Sequence, residues 1–140
     1  MAPRRAGIRQ GGDMELVAVV AGLALLELVY FGLQTGRARG RYKIEAPAVT
    51  GHPIFERHFR VQQNSIEQIV VFLPALFLFA TYVHAPTAAA LGAVYVIGRL
   101  VYERGYVADP AKRGPGFGLS FIPSVILVLG GLAGAVRAWL

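Results

Sequence analysis

The chain has 140 residues, 55% of them hydrophobic and 16% charged, with 14 Lys and Arg against 8 Asp and Glu and a net charge of +6. Soluble domains carry about a quarter charged residues, so this composition argues against an ordinary water-soluble protein and for one membrane domain. The chain has no cysteine, which removes disulfides, thiolate metal sites and cysteine nucleophiles; the histidines His52, His58 and His84 lack a metal-ligand spacing, so no metal is expected.

Residues 1–13, MAPRRAGIRQGGD, are basic and Gly-rich with little apolar content. They read as a disordered extension ahead of a domain spanning residues 14–140, with Met14 a candidate start of the chain. Four apolar runs follow, Met14 to Gln34, Ser65 to Val83, Pro86 to Tyr102 and Phe117 to Trp139. Each is near the roughly 20 residues that cross hydrocarbon as a helix. LVAVVAGLALL and VILVLGGLAGAV are apolar on every side, whereas a soluble bundle needs polar outer faces. The expected fold is therefore all-α, an integral membrane four-helix bundle. Glu27 interrupts the first run, and reads as facing a neighbouring helix or pairing with a buried cation.

Between the first and second runs lie Arg37, Arg39, Arg41, Lys43, Arg57 and Arg60 against Glu45 and Glu56; between the third and fourth lie Arg104, Lys112 and Arg113 against Asp109. Both loops fall on one side of a four-span protein. The positive-inside rule makes that side cytoplasmic and places the termini opposite, in a bacterial inner membrane or an internal membrane. The basic residues flank membrane helices and carry no recognition motif, so no nucleic acid is expected as a partner.

The segment from Phe55 to Gln68, FERHFRVQQNSIEQ, runs from dense charge straight into an apolar stretch. Arg60, Asn64 and Glu67 are spaced i, i+4 and i+7 and share one helix face, while Gln62 points about 200° away from Arg60. Two polar faces cannot both look into one narrow core, which predicts an oligomer with ligands between subunits. In the third run Tyr95, Arg99, Tyr102 and Tyr106 form one stripe, and the buried arginine needs a partner, with Glu67 or Glu103 as candidates. Polar groups gathered at one membrane face do not line a path across it, which disfavours a channel. Gly130, Gly131, Ala133 and Gly134 allow close helix approach, and Trp139 suits an interfacial anchor.

FERHFRVQQNSIEQIVVFLPALF resembles the signature segment of the MAPEG family, membrane-associated proteins of eicosanoid and glutathione metabolism, and VYVIGRLVYERGYVADPAKRGPG is similar to the third helix and following loop of its microsomal glutathione transferase branch. The resemblance runs from about Tyr30 into the fourth apolar run. It implies a homotrimer that binds glutathione between neighbouring subunits near the cytosolic surface. Carried over by position, Arg60, Asn64, Glu67, Tyr102, Tyr106 and Arg113 come from one subunit, and Arg39 and Gln62 from the next. It assigns activation of the glutathione thiolate to Arg113, with Arg39 as the second candidate, for attack on a lipophilic electrophile or a lipid hydroperoxide drawn from membrane lipid. Without the resemblance, Arg113 reads as a loop charge.

Three departures argue against leukotriene formation: Gln68 in place of a tyrosine, Gly40 in place of a second arginine, and Val125 in place of a tryptophan. The alternative within the family is a non-catalytic lipid-binding or scaffold protein. That kind of member lacks an arginine at the position of Arg60 and has aspartate where this chain has Glu67.

Overall fold

A computed structural model describes residues 6–140, with side chains from residue 12 onward. Four long helices follow in order: α1 from Ala6 to Arg41, α2 from Pro53 to Tyr82, α3 from Ala85 to Ala108 and α4 from Gly114 to Trp139, with a 3-10 turn, Pro110–Arg113, joining the last two. All four are long and apolar enough to cross a membrane.

Local chemistry sets the starts. Pro53 stands at the head of α2, where its missing N–H costs nothing, and His52 caps the helix by accepting from the Ile54 amide at 3.2 Å. The α1–α2 loop is closed on this side by the His52 ring, stacked on Tyr42 with centroids 3.7 Å apart. His84 caps α3 by accepting from the Thr87 amide at 3.3 Å. At the other end of α3, Asp109 precedes Pro110, a pairing that disfavours helical backbone at Asp109. Its side chain then accepts from the Ala111 amide at 3.0 Å and starts the 3-10 turn.

The helices exceed the apolar runs at nearly every end. α2 begins at Pro53 and not at Ser65, so the whole FERHFRVQQNSIEQ segment is helical. α3 continues from Tyr102 to Ala108. Apolarity marks only the stretch that meets hydrocarbon, whereas backbone hydrogen bonding carries the helix on into the polar zone. α1 runs back to Ala6, so the helix passes the 13/14 boundary without a break; residues 1–5 of the extension lie outside the described residues.

The main core is built from Val17, Val20 and Ala24 of α1, Phe72, Leu76 and Phe79 of α2, Ala88 and Tyr95 of α3, and Leu127 of α4. Phe72 and Tyr95 stack with centroids 3.7 Å apart. Large apolar side chains also point outward along the helices, among them Leu23, Leu26, Val29, Val70, Ile97, Ile122, Leu129 and Leu132. Such a continuous apolar exterior belongs in lipid or against other membrane helices, and the bundle is an integral multi-pass membrane fold. A second, smaller cluster of Phe31, Val61 and Tyr102 lies toward the basic end, and the polar site stands over it.

Candidate functional site

The basic end of the bundle is shaped by close contact between α3 and the chain that follows it. A Cβ on Gly116 would stand 2.8 Å from the Tyr102 Cβ, and one on Gly98 would stand 2.7 Å from the Leu119 carbonyl carbon. Only glycine lets these backbones meet, and the contact brings the turn carrying Arg113 beside Tyr102 and Tyr106. Arg57 of α2 locks the same corner by donating to the carbonyls of Val107 at 3.0 Å and Ala108 at 3.3 Å. It thereby satisfies the open C-terminal turn of α3 with a cation at its negative end.

Within this corner lies a cavity of about 430 Å³, lined by Arg60, Asn64, Tyr102, Tyr106, Arg113, Gly114 and Phe117. Its size falls in the roughly 300–1,000 Å³ range of small-molecule sites. Two guanidiniums and no carboxylate line it, so it suits an anionic ligand. Two phenols and an amide supply neutral hydrogen bonding.

Beneath the cavity is the guanidinium of Arg99, only 1% exposed. It donates from Nη2 to the Asn64 side-chain oxygen at 3.0 Å and to Ser65 Oγ at 2.7 Å, and from Nη1 to Ser120 Oγ at 3.3 Å. The two serines donate in turn to carbonyls one turn back, Ser65 to Val61 at 2.7 Å and Ser120 to Gly116 at 3.0 Å. Arg99 also lies over the Tyr102 ring, 4.2 Å from its centroid. The expected carboxylate partners are thus replaced by neutral oxygens. Glu67 lies on the exposed surface of α2, while Asn64, Ser65 and Ser120 take the guanidinium's bonds. The inward stripe itself is present, with Tyr95, Arg99 and Tyr102 buried and Tyr106 half-buried.

Of the eight expected ligand residues, the fold therefore gathers Arg60, Asn64, Tyr102, Tyr106 and Arg113 around one cavity. Arg39, Gln62 and Glu67 do not line it. Arg39 donates to the carbonyls of Ala48 at 2.7 Å and Ile44 at 3.4 Å and lies over the Phe55 ring. Gln62 packs toward α1, its Nε2 3.3 Å from where a Cβ on Gly32 would be. The two lining residues absent from the expected set are Gly114, directly after Arg113 in sequence, and Phe117 in the next turn of α4. Phe117 stacks on Phe121, centroids 5.3 Å apart. Phe121 in turn opens an apolar groove of about 250 Å³ between α2 and α4, lined also by Gln68, Val71, Ser124, Val125, Val128 and Leu129.

A cavity of about 470 Å³ at the opposite end is lined by Asp13, Thr81 and His84 among others. His84 is already engaged there as the cap of α3 and with the Thr87 hydroxyl at 2.7 Å, so this cavity has no convergent set of ligand groups. Among the described residues no group of histidines or carboxylates could hold a metal ion.

Residues 17–133 match the model of the MAPEG family. The chain is 41% identical over 129 residues to human microsomal glutathione S-transferase 2, covering 92% of this chain and 88% of that protein. It is 44% identical over 115 residues to an uncharacterised Synechocystis protein, covering 82% and 84%. It is also 40% identical over 101 residues to leukotriene C4 synthase of Cavia porcellus, covering 72% and 67%. The chain belongs to the MAPEG family.

Proposed function

We propose that this protein is a membrane-bound glutathione transferase that ionises the glutathione thiol with an arginine and directs it at lipophilic electrophiles or lipid hydroperoxides. The observation that carries the reading is the cavity in which Arg60, Asn64, Tyr102, Tyr106 and Arg113 converge. The relatives named as glutathione S-transferase and leukotriene C4 synthase support it.

Glutathione carries two carboxylates and one ammonium. Arg60 suits a carboxylate through charge-assisted hydrogen bonds, Asn64 and the two phenols orient the peptide, and Glu67 accepts from the ammonium. The site is completed in a homotrimer, where Arg39 and Gln62 of a neighbouring copy close the cavity from the α1 side. The basic end faces the cytoplasm, as the loop charge directs.

A thiol with pKa near 8.5 is a few per cent ionised at pH 7, and lowering it by about two units takes roughly 2.7 kcal/mol of differential stabilisation. Arg113 supplies that interaction and Arg39 is the second candidate. With an alkyl or aryl electrophile, the thiolate sulfur forms the C–S bond as the leaving group departs with its electron pair. With a hydroperoxide, the sulfur takes the terminal hydroxyl as the O–O bond breaks and the alkoxide leaves as the alcohol; a second glutathione thiol then attacks the sulfenic acid sulfur, giving the disulfide and water. The electrophile lies in the apolar groove beyond Phe117 and Phe121.

The test is conjugation of glutathione to an aryl halide by the detergent-purified protein, together with a structure after glutathione soaking. Turnover with glutathione bound at Arg60, Asn64 and Arg113 is the expected result. Failure to bind glutathione at millimolar concentration sinks the enzyme reading.

A further inference from the structure

Glu27 sits midway along α1 in the apolar stretch LALLELVYF, with its side chain 7% exposed. A carboxylate at that depth is costly unless something answers its charge. The buried ionisable side chains among the described residues, tyrosines aside, are Glu27, Arg99 and Glu103, so Arg99 is the buried cation. Each member of the opposite-charge pair retains one unsatisfied buried atom, Oε2 of Glu27 and Nε of Arg99, one an acceptor and the other a donor. Ala24 of α1 packs in the core cluster that holds Tyr95, and Phe31 in the cluster that holds Tyr102; Glu27, between them on the same face of α1, therefore stands level with Arg99, and the two make no direct hydrogen bond.

The other edge of the same guanidinium faces the cavity. Nη2 donates to the Asn64 oxygen, which decides the orientation of that amide. With its oxygen engaged below, Asn64 presents its NH2 group, a donor, to whatever occupies the cavity. The face of Arg99 carries the ring of Tyr102, a second lining residue. A guanidinium is planar and rigid, so fixing its Nε edge fixes the direction of both Nη groups.

We propose that Glu27 is a positioning residue for glutathione: its carboxylate, joined to the Nε edge of Arg99 through water, holds the guanidinium in the plane that orients Asn64 and Tyr102. This rests on the glutathione reading above. Glu27 touches neither substrate nor the reacting atoms, so its effect falls on binding and not on the chemical step.

The experiment measures steady-state kinetics and thermal unfolding of the detergent-purified protein with Glu27→Met, which keeps the volume and removes both charge and acceptor. The expected result is a KM for glutathione raised about three- to tenfold, the factor carried by one well-placed hydrogen bond, with kcat at saturating glutathione within about twofold of wild type. Glu27→Gln keeps an acceptor oxygen and lies between the two, and it carries the test should the Met variant fail to fold. In an Asn64→Ala background the Glu27 substitution leaves the glutathione KM unmoved, because the group it positions is gone. A purely structural role lowers the unfolding midpoint and the active fraction without touching KM. An unchanged KM in both Glu27 variants, or an undiminished effect in the Asn64→Ala background, overturns the inference while wild-type turnover keeps the transferase reading. If the wild-type protein does not bind glutathione, the reading and the inference fall together.

Discussion

Arg99 of α3 and Asn64 of α2, 35 positions apart in sequence, are joined by a 3.0 Å hydrogen bond beneath the cavity. The bond ties the interior of the bundle to the wall of that cavity. Arg99→Met removes it together with the bonds to Ser65 and Ser120. A hydrogen bond to a charged group contributes about 1.5–3 kcal/mol, so with these lost the thermal midpoint in detergent falls by several degrees and the glutathione KM rises. Arg99→Lys keeps the charge, but one ammonium cannot reproduce the planar fork that spans three acceptors, and it is expected to recover stability only in part. An unchanged midpoint in both variants would show that the network contributes little.

Arg113 is exposed at the head of α4, so on the proposed mechanism its removal is expected to act on chemistry and leave the fold intact. Arg113→Ala is expected to keep the wild-type unfolding midpoint while turnover at neutral pH drops by roughly the hundredfold that two pKa units represent. The pH at which activity rises moves up toward the free thiol value of about 8.5. A pH–rate profile of aryl halide conjugation reads this directly. A variant with the wild-type profile removes Arg113 from the mechanism.

If Arg39 completes the cavity of a neighbouring copy, two inactive variants complement each other. Arg39→Ala and Arg113→Ala, each weak alone, regain activity when co-expressed, because about a quarter of the interfaces in a random mixture pair two intact halves. Mixing the separately purified variants without subunit exchange gives no recovery. Should co-expression give only the mean of the two single variants, each site belongs to one subunit.

Gly116 and Gly118 stand two residues apart on α4 and are predicted to respond in opposite directions. Gly116→Ala forces a methyl against Tyr102, and overpacking of this kind costs about 1–3 kcal/mol while displacing a cavity wall. Gly118→Ala meets nothing within 4 Å and gains about 0.5–1 kcal/mol of helix propensity. Unfolding midpoints of the two variants, with glutathione KM alongside, check both signs.

Much of the site could be read from spacing alone, and what could not had a physical cause. The inward stripe of Tyr95, Arg99, Tyr102 and Tyr106, and the divergence of Gln62 from Arg60, follow from the turn of a helix, which local sequence carries. The partner of Arg99 did not follow. A sequence displays charges, so Glu67 and Glu103 stood out, whereas a guanidinium is satisfied equally by the neutral oxygens of Asn64, Ser65 and Ser120. Which of these it meets depends on how far α2 and α4 slide along α3, and nothing local encodes that slide. Arg57 is similar: in sequence one loop cation among many, in the fold the group that ends α3. The helix limits extended beyond the apolar runs because hydropathy registers the hydrocarbon and not the helix.

The groove beyond Phe121 opens among apolar side chains that are exposed in the single subunit, so an electrophile that binds there as proposed reaches it from the surrounding hydrocarbon and not from water. Its working concentration is then a mole fraction in lipid or detergent. The apparent KM for a lipophilic electrophile should rise in proportion to the detergent added at constant protein, while the KM for glutathione, which arrives from the aqueous side, stays where it is.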